Sequence, residues 1–197
     1  MIVIVDTGGA NLASILSALT RLGVMARIST EPDEINSATH VILPGVGSAN
    51  KIMKRLDDLQ LIDVLKKLNQ PVLGICVGMQ ILFEFSEEGN TACLGIIAGQ
   101  IQKLSKKSCL ILPHMGWNTL QVLKPFGLMA NITAEASVYF VHNFVAPITS
   151  HTCATAYYGM PFSAAVQFEN FFGVQFHPER SGTAGHQILK NFLELER

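Results

Sequence analysis

A single cysteine between two glycines, at the end of an apolar strand, constrains this chain more than any other feature. Residues 71–80 read PVLGICVGMQ, so Gly74 precedes Cys76 by two positions and Gly78 follows it by two. This spacing is typical of a nucleophile elbow, a strand-to-helix turn too tight for side chains at its flanks. The turn places Cys76 at a helix N-terminus, where free N–H groups stabilise a thiolate. The chain is therefore predicted to carry a nucleophilic thiol and to be an enzyme.

The composition predicts one α/β domain spanning residues 1–197. Hydrophobic residues make up 49% of the chain and charged residues 15%, which fits strands buried on both faces. A formal charge of −1 provides no basic surface for nucleic acid or acidic lipid. The sequence contains no signal-peptide pattern and no apolar run of membrane-spanning length. We therefore expect neither nucleic acid nor a membrane as a partner.

The cysteine spacing favours reduced thiols. The four cysteines form no CxxC pair, and a chain with an ample core does not need a disulfide framework. We therefore expect a cytoplasmic protein in which the other three, Cys93, Cys109 and Cys153, are inert apolar residues.

Strands alternate with helices over the first 85 residues. Apolar runs predict strands at residues 1–5, 25–28 and 41–43, and periodic apolar stripes predict helices at residues 12–22 and 62–68. This alternation implies right-handed crossovers and a parallel sheet, whose sites lie beyond the carboxyl ends of the strands. Cys76 falls at such an end.

The pattern changes from Gly95 onward. Short strand-like segments replace the alternation there, which favours antiparallel pairing, and a final helix with Thr183 as a possible cap closes the chain. The predicted fold class is therefore α/β, with a central, mostly parallel sheet flanked by helices and additional antiparallel strands in the C-terminal half. The predicted strands in that half are 99–104, 116–122, 137–141, 153–158, 164–168 and 171–176.

A base for the thiol is predicted in the segment GVQFHPE. Pro178 biases His177 toward an extended conformation, and the i, i+2 spacing then puts His177 and Glu179 on one side of the chain. A carboxylate placed there can fix the tautomer of the imidazole. The same letters match the H-x-E pattern of zinc deaminases, but no PCxxC follows, so the metal ligands are missing. No metal and no cofactor are expected.

A glycine-rich segment, PGVG at residues 44–47, directly follows a predicted strand. Attack on an amide creates an oxyanion, which preorganised N–H donors stabilise. The peptides of Val46 and Gly47 can turn inward there, and the amide of Val77 is the natural second donor. An ordinary glycine-rich turn is the alternative. We further hypothesise that this peptide rests with one N–H donor turned away from the oxyanion and that it reorients when a partner protein has bound its own ligand.

These motifs and their order resemble class I glutamine amidotransferases, in which the order Cys, His, Glu defines the glutaminase. The segments DTGGANLASI, LPGVGSA, LPHMGWN, YFVHNF, FHPERSG and LKNFLE are similar to those of the glutaminase subunits of imidazole glycerol phosphate synthases. The resemblance covers nearly the whole chain. It implies that Cys76 attacks the side-chain amide of glutamine, that His177 shuttles the proton and that Glu179 orients His177.

The resemblance also implies substrate contacts. Gln80 would hold the substrate one helical turn after the nucleophile, and Glu88 would pair with the α-amino group of L-glutamine. Backbone groups of Asn143 and Phe144 would meet the α-carboxylate; many relatives carry Ser or Thr where Asn143 stands. The alternatives are a solvated helix glutamine for Gln80 and a solvated loop for Glu88.

The implied partner is a (β/α)₈ cyclase subunit, forming a heterodimer. It would join the ammonia to a phosphoribulosyl intermediate, giving imidazole glycerol phosphate and AICAR in histidine biosynthesis. The alternative for Arg180 is an ordinary exposed arginine, and the alternative for Trp117 is a core tryptophan. The expected interface residues are Asn11, Met115, Trp117, Asn118 and Arg180.

Two other functions remain open on sequence grounds. One is a different glutaminase subunit or a free-standing class I amidotransferase. The other is a non-catalytic regulatory module that kept the fold, although the presence of Cys76, His177 and Glu179 argues against it.

Overall fold

The N-terminal half of the chain alternates strands and helices. The structure, a computed structural model, describes residues 1–9, 12–104 and 110–196, so Asn11 and Cys109 lie outside the described residues. The strands here are β1 (Ile2–Val5), β2 (Ala26–Ser29), β3 (His40–Gly45) and β4 (Val72–Cys76). The helices are α1 (Leu12–Arg21), α2 (Pro32–Ser37), α3 (Ala49–Asp58), α4 (Ile62–Lys66) and α5 (Val77–Gln80).

The C-terminal half is dominated by short strands. They are β5 (Phe83–Ser86), β6 (Thr91–Ala92), β7 (Ile97–Lys103), β8 (His114–Thr119), β9 (Gln121–Val122), β10 (Ser137–His142), β11 (Phe144–Val145), β12 (Thr152–Tyr157), β13 (Pro161–Phe168) and β14 (Phe171–Val174). A 3₁₀ turn at Pro178–Arg180 leads into the final helix, α6 (Gly182–Leu193). Within the described residues, no helix is long and apolar enough to cross a bilayer.

The described strands build one large mixed sheet and two smaller sheets. The large sheet has the order β2-β1-β3-β4-β14-β13-β12-β9. Its strands from β2 to β14 pair in parallel, and β13, β12 and β9 extend it with antiparallel pairs. The smaller sheets have the orders β10-β8 and β11-β7-β5-β6. The predicted α/β class, with a parallel centre and antiparallel additions in the C-terminal half, is confirmed.

The core lies on both faces of the central strands. Every residue of β1, β4 and β14 is buried, as expected for central strands of a parallel sheet that is covered on both faces. Helix α1 buries Ile15, Ala18 and Leu19 against the sheet, while its other positions are more exposed. Strand β4 lies between β3 and β14, so Cys76 at its carboxyl end is surrounded by ordered backbone.

Several local predictions were incomplete or wrong. Helix α3 was not predicted, although it buries Ile52, Met53 and Leu56 within an otherwise polar segment. The predicted cap Thr183 is wrong: α6 begins at Gly182, and Ser181 occupies the N-cap position. The predicted strand at residues 116–122 is divided into β8 and β9, which join different sheets.

The elbow at Cys76 is as tight as its glycines predict. A Cβ on Gly78 would lie 1.8 Å from the carbonyl oxygen of Leu43 in β3, and one on Gly74 would lie 2.5 Å from the oxygen of Gly78. Cys76 itself has φ 56° and ψ −112°, a region that L-residues avoid. Such backbone strain costs about 1–3 kcal/mol and persists only where the surroundings enforce it. Helix α5 then runs for only four residues, so its local N–H groups matter more than a long helix dipole.

We predict that Gly78→Ala lowers the free energy of unfolding by about 3 kcal/mol or more. The added methyl group would overlap backbone of β3, which cannot move without disturbing the central sheet. Urea denaturation followed by circular dichroism measures the change. Ser17→Ala, on the exposed face of α1, is the control and should stay within about 0.5 kcal/mol of the parent. A Gly78→Ala variant as stable as this control would contradict the steric account.

Candidate active site

One cavity of about 260 Å³ collects the predicted cleft residues. It opens at the carboxyl end of β4, where the parallel sheet predicts a site. All of the predicted catalytic, oxyanion and substrate residues line it except Glu179, which lies behind His177. The lining residues are Val46, Gly47, Cys76, Val77, Gln80, Glu88, Pro113, Val141, His142, Asn143, Phe144 and His177.

The sulfur of Cys76 is almost fully enclosed. The residue is 4% exposed, and its Sγ lies 3.8 Å from the carbonyl oxygen of Val141. The Nε2 amide of Gln175 donates toward the same sulfur at 3.8 Å. The strained turn therefore presents the sulfur to the cavity between a carbonyl oxygen and an amide donor.

The imidazole of His177 is held by Glu179. Its Nδ1 lies 2.8 Å from Oε1 of the carboxylate, and the two side chains are 8% and 4% exposed. Among the described residues, His177 Nε2 has no hydrogen-bond partner, so this nitrogen stays available to a reacting group in the cavity. The arrangement matches the predicted orientation of the ring by a carboxylate.

The surroundings of His177 favour its protonated form. Burial lowers the pKa, but the neighbouring Cys76 sulfur and the Glu179 carboxylate outweigh burial and raise the pKa of His177 to about 10. The stability that this contributes is fully present below the ordinary histidine value and is lost as pH rises toward 10. At neutral pH the site therefore holds a cationic imidazole beside the sulfur.

Ser181 fixes the backbone of the catalytic turn. Its hydroxyl donates to the carbonyl oxygen of His177 at 2.6 Å and accepts the N–H of Tyr139 at 2.9 Å. The N–H of His177 in turn donates to the carbonyl oxygen of Tyr139 at 2.9 Å. Ser181 is buried and was not predicted, because only its place after the motif HPER could have indicated it.

Two buried glutamines are hydrogen-bonded to each other near the sulfur. Gln80 is 2% exposed, and its Nε2 donates to the carbonyl oxygen of Phe144 at 3.0 Å and to Oε1 of Gln175 at 2.9 Å. The alternative of a solvated helix glutamine is therefore wrong for Gln80. Gln175 was not predicted to be functional; the available signal was a single polar residue within the apolar run GVQF.

Glu88 is a half-buried wall residue that also caps a helix. Its Oε2 accepts the N–H of Ala49, the first residue of α3, at 2.8 Å. Burial raises the pKa of Glu88, and the Ala49 hydrogen bond partly offsets this. The alternative of a purely solvated loop is wrong, since the carboxylate both borders the cavity and stabilises a helix N-terminus.

The predicted oxyanion segment lies at the cavity wall, with two glycines that act differently. Gly47 has φ 90° and open space where a side chain would point, so it is needed for its backbone conformation. Gly45 is needed for contact, since a Cβ there would lie 2.4 Å from the amide nitrogen of Gly78. That Val46, Gly47 and Val77 donate to an oxyanion stays a prediction.

A pair of buried histidines, His114 and His142, was not predicted. His142 borders the cavity; its Nδ1 lies 2.9 Å from the carbonyl oxygen of Phe144, and its Nε2 lies 2.8 Å from Nδ1 of His114. Burial lowers the pKa of His114 to about 4. Burial, with charge from His114 and His177, lowers the pKa of His142 to about 3. Both rings are therefore neutral beside a cationic His177.

The three predicted interface residues on β8 divide between its two faces. Met115 and Trp117 are 62% and 59% exposed, so the alternative of a core tryptophan is wrong. Asn118 points to the opposite face, where its amide meets His114 and the carbonyl oxygen of Tyr157. Arg180 is exposed next to the catalytic turn, with its guanidinium carbon 6.0 Å from the ring centre of Tyr139.

We predict that removing the His142 imidazole weakens the acid sensitivity of the fold. Between pH 6.5 and 4 the unfolded chain binds protons at His114 and His142 while the native rings stay neutral, so unfolding free energy falls as pH falls. The Tm of His142→Asn should therefore drop less between pH 7 and pH 5 than that of the parent.

Thermal unfolding at the two pH values measures this difference. Ser17→Ala, which removes no titratable group, should keep the parental pH dependence. Equal Tm losses in His142→Asn and the parent would show that His142 is not held neutral in the native state.

Known proteins resemble this chain over nearly its full length. The imidazole glycerol phosphate synthase subunit HisH of Vibrio cholerae is 47% identical over 98% of both chains. The same subunit of Haemophilus influenzae is 48% identical, covering 98% of this chain and 96% of the relative. A solved glutamine amidotransferase superposes with a TM-score of 0.76 over 98% of this chain and 97% of the other; at 18% identity it supports the fold alone. The family model described as Glutamine amidotransferase class-I matches residues 3–195, and this chain belongs to that family.

Proposed function

We propose that this chain is the glutaminase subunit of an imidazole glycerol phosphate synthase, working as a single domain in the cytoplasm. It hydrolyses L-glutamine to glutamate and ammonia and delivers the ammonia to a cyclase subunit. The observation that carries the proposal is one cavity that joins Cys76, on a strained elbow, to His177, held by Glu179. The relatives described above, named as HisH subunits, support the particular reaction.

The proposed chemistry begins with attack by the Cys76 sulfur on the side-chain amide carbon of glutamine. The carbonyl π bond opens to an oxyanion, for which the N–H groups of Val46, Gly47 and Val77 are the proposed donors. His177 protonates the nitrogen, the C–N bond breaks, and ammonia leaves a glutamyl thioester on Cys76. Water then attacks the thioester while His177 takes its proton, releasing glutamate and the sulfur.

Glu179 makes this proton exchange possible through His177. Its carboxylate holds Nδ1, which leaves Nε2 as the nitrogen that exchanges protons with reacting groups. Because the pKa of His177 is near 10, the ring starts as the acid that ammonia release needs. After glutamate and ammonia have left the site, the His177 ring again carries its proton and can begin the next cycle.

Other residues that line the cavity are the proposed substrate contacts. The carboxylate of Glu88 offers an acceptor for the α-amino group of glutamine, and the hydrogen bond from Ala49 holds this carboxylate beside the cavity. The backbone at Asn143 and Phe144 offers polar groups for the α-carboxylate. Gln80 spends its amide hydrogens on Phe144 and Gln175, so it supports this wall and keeps only its oxygen for a ligand.

The proposed partner is a (β/α)₈ cyclase. It would use the ammonia to form imidazole glycerol phosphate and AICAR in histidine biosynthesis. The relatives are named as subunits, which supports a partner chain. Exposed Met115 and Trp117 on β8, together with exposed Arg180, are the proposed apolar and cationic contacts to this partner.

A different class I glutaminase role is the remaining alternative. Family membership alone fits any ammonia acceptor, whereas the identity to HisH subunits favours histidine biosynthesis. Complementation separates the two functions in a strain that needs histidine because it lacks its own glutaminase subunit. On medium without histidine, in which glutamine must supply the nitrogen, this chain restores growth only if it has the proposed function.

We predict that Cys76→Ala abolishes glutamine hydrolysis in the complex with the cyclase, with at least about a 10³-fold loss of kcat. The variant lacks the atom that forms the thioester. Cys93→Ser is the matched control, because burial raises the pKa of Cys93 to about 11 and keeps that thiol unreactive. A glutamine-mimicking diazoketone should label the parent at Cys76 and leave Cys93 unmodified. Glutaminase activity retained by purified Cys76→Ala complex would refute the mechanism.

We predict that Arg180→Ala weakens cyclase binding or its stimulation of glutamine hydrolysis by about tenfold while leaving the Tm unchanged. The side chain is exposed beside the catalytic turn, so its loss removes a contact without opening the core. Calorimetric titration and glutaminase assays with and without the cyclase ligand measure both effects. Lys190→Ala, an exposed cation on α6, is the control; if the two variants behave alike, Arg180 does not belong to the interface.

A further inference from the structure

The two buried histidines outside the catalytic turn are cross-strand neighbours. Strands β8 and β10 pair antiparallel, with His114 directly opposite His142. The residues are 3% and 6% exposed, and neither takes part in the glutaminase chemistry described above. Buried polar groups are usually retained with their hydrogen bonds complete, so the pair calls for an account of its bonding.

The hydrogen bonds of this pair have only one consistent direction. The carbonyl oxygen of Phe144 can only accept, so Nδ1 of His142 carries a hydrogen, and Nε2 of this neutral ring accepts. Nδ1 of His114 must then donate to His142, which leaves Nε2 of His114 to accept from the amide of Asn118 at 3.2 Å. That amide also donates to the carbonyl oxygen of Tyr157 at 2.9 Å. The donor at one end of this series of hydrogen bonds and the carbonyl acceptor at the other therefore require the same direction.

Aromatic packing fixes the orientation of the rings. The His114 imidazole lies between Phe140, with ring centres 4.9 Å apart, and Tyr158, with ring centres 4.0 Å apart, and it is stacked on both. His142 meets the edge of Phe162 at 5.1 Å. Rings held in this way cannot rotate to give up one hydrogen bond for another.

This series of hydrogen bonds ends at the wall of the catalytic cavity. The carbonyl oxygen of Phe144 accepts both His142 Nδ1 at 2.9 Å and Gln80 Nε2 at 3.0 Å. The carbonyl oxygen of Asn143 accepts the N–H of Leu104 at 2.8 Å. These three donors hold the cavity segment at residues 143–144 in addition to the pairing of β11 with β7, and His142 is the donor anchored from the side of β8.

We propose that His114 and His142 are positioning residues for glutamine: through the hydrogen bond to Phe144, they set the cavity wall that receives the amino-acid end of the substrate. This proposal rests on the proposed glutaminase function. It requires two neutral rings. A second proton on His142 would point two N–H groups at each other and would add a positive charge near His177. Among the residues that the structure describes, the titratable neighbours of the pair include His177, whose charge acts on His142, and Tyr158, whose ring stacks on His114.

The test compares two substitutions of nearly equal shape, His142→Asn and His142→Leu, in the complex with the cyclase. The Asn amide nitrogen can occupy the place of Nδ1 and donate to Phe144, while Leu cannot. We expect His142→Leu to raise KM for glutamine about tenfold with kcat changed less than about threefold, and His142→Asn to restore KM to within about threefold of the parent. Equal KM values in the parent and His142→Leu, or equal defects in both variants, would overturn the proposal.

A measurement on the parent protein keeps the proposal testable if His142→Leu does not fold. The ¹⁵N shifts of the imidazole nitrogens should show both His114 and His142 as neutral rings protonated at Nδ1 between pH 6 and pH 8. A charged ring, or a hydrogen on Nε2 of either residue, would overturn the proposal. If the parent complex does not hydrolyse glutamine at all, the proposed function fails; if it does and KM ignores His142, only the positioning role fails.

Discussion

The contact between the backbone of Gly78 and strand β3 is the constraint on which the site depends. Because no side chain fits between them, α5 can start directly after β4 and turn back against the sheet. This forces Cys76 into a conformation that side chains avoid and directs its sulfur into the cavity. The strain is sustained by the packed central sheet, in which β4 is buried along its whole length. The same packing therefore stabilises the fold and places the nucleophile.

Electrostatic contrast between three imidazoles defines the rest of the site. His177 gains a carboxylate and a sulfur as neighbours and is cationic, while burial is the largest influence on the pKa of His114 and of His142 and keeps both rings neutral. A positive charge on His114 or His142 would repel the positive charge on His177. The neutral pair is therefore suited to holding backbone in place, and the charged ring to moving a proton.

The sequence predicts those parts of the site that depend on local geometry. The elbow at Cys76 and the pairing of His177 with Glu179 follow from spacings of two residues, which the structure reproduces. The His114–His142 pair depends on the register of β8 with β10, which no local pattern encodes. Helix α3 has a local signal, since Ala49, Ile52, Met53 and Leu56 stand at the i, i+3, i+4 and i+7 positions of one helix face, and only the Glu88 contact at its N-terminus is long-range. Long-range register therefore explains why the histidine pair was missed, but it does not explain the missed helix.

The central claim is that the sulfur of Cys76 becomes covalently bound to the glutamyl group during turnover. Acid quenching of the cyclase complex while it consumes isotopically labelled glutamine, followed by peptide mass spectrometry, tests this directly. The account predicts a labelled glutamyl thioester on the peptide that contains Cys76. Glutamate formation at full rate with no label on that peptide, or with label on another residue, would contradict it.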